Sequence, residues 1–232
     1  MIYRPVRLVA VILLLFVGLC ETRARAAGPS PLPMVETRPE PTDAVLLNPG
    51  MGLYLACGRT LQPIPGDAWF LDIADIAYCR MEWARIEPEP GADMGEYFDP
   101  IFDYWVKDRG GRVAFRVMAE SMHSDYKYIT PQWVFERGVP GVKHIGLRDN
   151  EQIDPVFWDD RYLDEACAFV ERMGRELDGR AGLEFVDIGL IGEWGEMHLG
   201  LHKANRWTGE QLEETGYTED KYIAAYRRII DA

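Results

Sequence analysis

Apolar runs of strand length alternate with longer amphipathic stretches, and this alternation constrains the fold more than any other feature of the sequence. Residues 53–56 (LYLA), 73–82 (IADIAYCRME), 112–119 (RVAFRVMA) and 183–191 (LEFVDIGLI) read as four strands. Phe98, Ile101, Phe102, Trp105 and Val106 recur at helical spacing and stop at Gly110-Gly111, a helix-ending pair. Asp159-Asp160 cap a second helix whose face carries Tyr162, Ala166, Phe169, Val170 and Met173, and Thr218 caps a last one running to Ala232. NPGMG at 48–52 reads as a turn, EPEPG at 87–91 as a chain break, and the stretch between the third strand and Asp159 as a long loop. Strands connected through helices must run parallel, with the helices packed outside the sheet.

Two closures satisfy that pattern, an open doubly wound sheet and a barrel. No Gly-rich phosphate loop follows any of the strands, which argues against a nucleotide-binding open sheet. Charged residues gather instead at strand ends (Arg80, Glu82, Arg116, Glu120, Glu193, Glu196), where a (β/α)8 barrel builds its site. A barrel takes eight strands and about 250 residues. The expectation is therefore an α/β chain holding the first four strand–helix units of a TIM barrel, residues 48–232, with a partner half, a second copy or further sequence needed to close it.

The first residues read as an export leader. Arg4 and Arg7 precede an apolar run at 8–20 that is too short for a membrane span, and Ala24-Arg25-Ala26 supplies small residues for cleavage before Ala27. Residues 1–26 are thus expected to be a signal peptide and 27–47, rich in Pro, an extended lead-in to a secreted or periplasmic protein. The 232 residues carry a net charge of −13, and loss of the leader, which holds four Arg and one Glu, leaves the rest more acidic. That balance argues against nucleic acid and against anionic membrane surfaces as partners. Cys57, Cys79 and Cys167 remain, an odd number, so that at most one disulfide forms, with Cys57–Cys79 the preferred pair and buried free thiols equally compatible.

The densest chemistry is GLIGEWGEMH at 189–198. Glycines bracketing Glu193 and Trp194 let the backbone turn sharply and approach a ligand. Trp194 offers a flat face for a sugar ring, a carboxyl group beside it is partly desolvated, and His198 is placed to orient either. Arg80 and Glu82 share a face of their strand by its period of two, as an ion pair or as substrate contacts. Arg116, between Phe115 and Val117, needs a partner, with Glu82, Glu120 and Glu196 as candidates. His198 and His202 have the spacing of metal ligands on a helix, but Gly200 lies between them and no metal site is expected. His123 and His144 read as exposed loop residues, Trp133 and Trp158 as core or cleft mouth.

In order, NPGMG, CRMEWARIEPEPG, RVAFRVM, PQWV, FWDDRYL and FVDIGLIGEWGEMH resemble the N-terminal half of β-galactosidase-like TIM-barrel glycoside hydrolases, over about residues 45–200. The resemblance implies hydrolysis of a β-linked carbohydrate without a cofactor. It implies that Glu196 is the acid/base at the end of strand four, with Glu193 the alternative, and that Arg80 and Arg116 hold the site together. Glu82, Trp194 and His198 join the arginines as expected substrate contacts. Where such enzymes carry Asn before the acid/base glutamate, this chain has Gly195 before Glu196 and Gly192 before Glu193. The nucleophile of the family lies on strand seven, beyond the strands read here. A non-catalytic carbohydrate-binding relative, or an inactive fragment, is the alternative reading.

Overall fold

The computed structural model describes residue 38 and residues 53–56, 74–200 and 207–232. The chain divides into two units, Met1–Val45 and Leu46–Ala232, and every element below belongs to the second. The expected leader, the lead-in apart from Arg38, the NPGMG turn, Cys57 with its proposed disulfide, and His202 lie outside the described residues. No helix among the described residues is long and apolar enough to cross a membrane.

Four strands form a parallel sheet in the order β1 (Leu53–Ala56), β2 (Ala74–Glu82), β3 (Arg112–Met118), β6 (Leu183–Asp187). Each is the spatial neighbour of the one before it, so the winding proceeds in one direction with no reversal among the described strands. Helix α1 (Trp83–Ile86) follows β2 directly. Helix α2 (Met94–Phe102) is capped by Asp93, which accepts from the Gly95 N–H, and runs into a π-helical turn at Asp103–Asp108. It begins one turn earlier than the spacing of Phe98 and Ile101 suggested. Gly110, at φ 69°, closes it by donating to the Val106 carbonyl.

The stretch expected as a loop holds structure of its own. Helix α3 (Gln132–Glu136) is followed by an antiparallel hairpin, β4 (Gly141–Ile145) and β5 (Glu151–Pro155). Helix α4 (Asp160–Leu177) then returns to the sheet, capped by Asp159 as its sequence indicates. Strand β6 ends at Asp187 rather than running on to Ile191. Helix α5 (Gly209–Glu214), opened by a Thr208–Gln211 capping box, precedes α6 (Glu219–Asp231), capped by Thr218.

One face of the sheet is sealed by helices. Ala77, Cys79, Met81, Val113, Phe115 and Val117 are buried there against Phe98 of α2 and Phe169 of α4. The conspicuous EPEPG break is part of this packing. Glu87, fully enclosed, accepts from the Trp83 indole N–H (3.2 Å), the Gly91 N–H (3.0 Å) and the Arg172 guanidinium of α4 (2.8 Å), while its carbonyl accepts from the Trp133 indole (3.1 Å). Trp83 meets Phe169 at 4.9 Å and Trp133 edge-on at 6.1 Å. Trp133 and Trp158 are both core residues.

The opposite face carries Tyr54, Tyr78, Arg80, Arg116, Phe185 and Asp187, as the strand register and the two-residue period require. Tyr54 and Phe185 stand on the two outer strands, yet their rings are 6.0 Å apart, and Phe185 also meets Tyr78 at 6.2 Å. Strands lie about 4.8 Å apart in a sheet, so perpendicular side chains three strands apart stand about 14 Å from each other when the sheet is flat. The rings converge because the two edges bend or lean toward this face.

Candidate active site

Because the strands are parallel, the C-terminal ends of β2, β3 and β6 share one rim. Arg80 is the register partner of Arg116, and Arg116 that of Asp187, so three charged side chains stand abreast. Two adjacent guanidinium groups repel unless an anion lies between them. Glu196 supplies it: its Oε1 accepts from Arg80 at 3.3 Å and from Arg116 at 3.0 Å. The other arm of Arg116 donates to Asp187 at 3.0 Å. Tyr78, one pleat further in, donates its hydroxyl to the same Asp187 oxygen. Burial, and then that hydrogen bond, push the Tyr78 phenol up to about 12, so it remains a proton donor through the neutral range.

Glu196 reaches this position through a tightly folded segment. After Asp187 the chain leaves the sheet and crosses β3, with the Leu190 N–H donating to Val117 and the Trp194 N–H to Glu120. Contact is so close that a Cβ on Gly189 would lie 2.2 Å from the Val117 carbonyl oxygen. Gly192 and Gly195 have φ of 77° and 72°, and three residues that are not glycine share the left-handed region: Leu190 (67°), Trp194 (55°) and Met197 (59°). Such strain costs of order 1–3 kcal/mol per residue and persists where surroundings impose it, most often at functional sites.

Around Glu196 the side chains sort by accessibility. Glu196 is 37% exposed, and its Oε2 lies 3.6 Å from His198 Nε2. The Arg80 guanidinium sits 5.7 Å from the centre of the Trp194 ring, and His198 meets that ring edge-on at 5.7 Å. Glu193, by contrast, is 0% exposed and accepts from the Met122 N–H at 2.7 Å. Glu82 is also enclosed, accepting from the Ser124 hydroxyl at 2.6 Å. The arrangement brings Arg80, Arg116, Glu196, Trp194 and His198 together and turns Glu82 and Glu193 inward. Those two hold the loop at 121–124, and neither presents an oxygen to a ligand from this position. Of the partners expected for Arg116, Glu196 pairs with it, and Glu82 and Glu120 are both buried.

Sequence reasoning missed three participants. Asp187 sits inside an apolar run, where only the alternation with Phe185 points it to the site face. Tyr78 precedes Arg80 by two residues and shares its face for the same reason. His123, expected as a bland loop residue, stacks on Trp194 with ring centres 5.4 Å apart and planes 14° apart. It therefore covers one side of the indole that was expected to lie open to a sugar. His144, expected to be exposed, is buried in the hairpin beside Asp154 at 3.4 Å.

A cavity of about 670 Å³ lies beside β6, walled by Leu183, Val186, Val170, Met173, Ile229 and Ile230 and touching Asp187. Its lining is mostly apolar, and Glu196 takes no part in it. No family model matches the chain, and no curated protein matches it either. The described residues define an α/β protein with a parallel sheet, whose clustered charges lie at the C-terminal rim.

Proposed function

We propose that this chain is the first half of a (β/α)8-barrel glycoside hydrolase acting on β-linked carbohydrate, with Glu196 as its acid/base. The observation that carries this is the half-exposed Glu196 carboxylate clamped between arginines of two adjacent parallel strands at their C-terminal ends. Barrel enzymes gather their chemistry at that rim. One-directional winding and the convergence of Tyr54 with Phe185 support curvature toward the same face.

In this reading each group has a task. Arg80 and Arg116 fix Oε1 of Glu196, which leaves Oε2 to pass a proton to the leaving oxygen and recover it from water. His198 keeps Oε2 aimed, and Asp187 with Tyr78 holds Arg116 in register. Glycoside hydrolysis needs a second carboxyl group across the sugar, about 5–5.5 Å away for retention or about 6.5–9.5 Å for inversion. Glu193 is enclosed and does not serve as that group. Closure of the barrel by further strands would bring the second group opposite Glu196. Export through a leader at 1–26 completes the proposal, and N-terminal sequencing of the mature protein tests it by finding Ala27 or Met1 first.

The decisive assay is release of reducing sugar from β-linked oligosaccharides by wild type and by Glu196→Gln. Loss of the acid/base should lower the rate by about 10²–10⁴-fold; equal rates would remove Glu196 from the mechanism. A second reading, a carbohydrate binder without hydrolysis, draws on the double occupation of Oε1, which also suits a fixed binding carboxylate. It predicts measurable saccharide affinity in wild type with no product formed.

A further inference from the structure

Residues 121–124 have no regular secondary structure, yet they are held from both sides. From beneath, Glu193 accepts from the Met122 N–H (2.7 Å) and Glu82 from the Ser124 hydroxyl (2.6 Å). From the hairpin, Gln152 donates to the carbonyls of Ser121 (2.9 Å) and Ser124 (3.0 Å), and Asn150 to that of Ser124 (3.1 Å). The Leu147 N–H donates to the Met122 carbonyl at 3.0 Å. Glu82, Glu193 and Gln152 are each at most 1% exposed. Burying three such side chains is costly unless each is satisfied. What they jointly fix is a short loop whose one exposed side chain is His123, laid parallel on Trp194. Local arrangements that cost stability without adding core concentrate at functional sites.

We infer that His123 is a ligand-contacting, specificity-determining residue, the flat surface that a pyranose ring meets beside Glu196, and that Gln152 is the positioning residue that holds it there. This rests on the carbohydrate reading of the site. The outer face of an imidazole stacked on an indole presents a planar surface to the C–H face of a sugar. Trp194, covered by that ring, backs the platform rather than forming it. Gln152 reaches the platform through the backbone carbonyls of Ser121 and Ser124, so its removal loosens the loop without deleting a ligand-contacting atom.

Calorimetric titration with cellotetraose and with β-1,4-galactotetraose tests this on the whole chain. The better of the two should bind His123→Ala about tenfold more weakly than wild type, whereas His123→Phe, which keeps a flat face, should stay within about threefold. Gln152→Ala should weaken binding in the same direction and change the near-ultraviolet circular dichroism of the stacked indole. That spectral change should be absent when Gln152→Ala is made in a Trp194→Phe background. Far-ultraviolet spectra and cooperative melting confirm that each variant is folded. If wild type binds and His123→Ala binds equally well, this inference fails and the carbohydrate reading stands. If wild type binds neither saccharide, both fall together.

Discussion

Asp159 shows how a single side chain combines a local cap with a charge pair. Its carboxylate accepts from the Arg161 N–H at 3.0 Å and pairs with the Arg161 guanidinium at 2.8 Å. The guanidinium hydrogen bond first, and the backbone N–H with it, hold the Asp159 carboxyl below its ordinary 3.8. A lowered pKa in the folded state means stability that is present above 3.8 and lost as the pH falls through the folded value. Asp159→Ala should cost about 1 kcal/mol at neutral pH by urea denaturation. The gap to wild type should narrow below about pH 3.8; a gap independent of pH would show that the cap, not the charge, carries the effect. Glu196 is the counterpart at the site, where the partners are drawn from two strands and the carboxylate stays accessible.

At the scale of elements, Glu87 shows how a short sequence break becomes a junction. EPEPG was legible as an interruption of the chain, but one carboxylate in it joins α1, the following turn and α4. Glu87→Ala leaves Arg172 and the Trp83 indole without their buried acceptor. Removing one partner of a buried pair costs about 3–5 kcal/mol, and the partial exposure of Arg172 places the expected loss near the lower end. The urea midpoint should fall with the slope unchanged, and a loss of less than about 1 kcal/mol would contradict the junction. Elements with strong local signals were readable in advance: the helical spacing and cap of α4, the four apolar strands, and Thr218 ahead of α6. The hairpin was not, because GVKHI and EQIDP carry charged and polar residues, and its pairing is secured by tertiary contacts such as Gln152 to the 121–124 loop. Helix α5 left a usable sign, the Thr208–Gln211 capping box, that hydrophobic periodicity alone passes over. At the site, the strand-end charges were legible. Their pairing was not, since alternation gives the face of Asp187 but no sequence distance predicts which carboxylate settles between Arg80 and Arg116.

For the molecule as a whole, the sheet is sealed on one side and, among the described residues, open along β6. Val186, Ile188 and Ile230 are exposed there beside the apolar cavity. Parallel strands are normally covered on both faces, and an unpaired apolar edge invites association. Sedimentation velocity should therefore show this chain associating as its concentration rises, and Ile188→Lys should suppress that association while leaving the melting transition cooperative. A monomer at every concentration would mean that the edge is already satisfied. The order of the strands has another consequence. Strand β3 pairs directly with β6, so the 120–158 stretch that joins it to α4 contributes no rung to the parallel ladder. Its buried residues, Trp133 and Trp158 among them, tie it to the core, but its exposed positions can change over evolutionary time without disturbing a single inter-strand bond of that sheet. A lineage could vary those exposed positions beside the rim and inherit the arginine-held carboxylate intact.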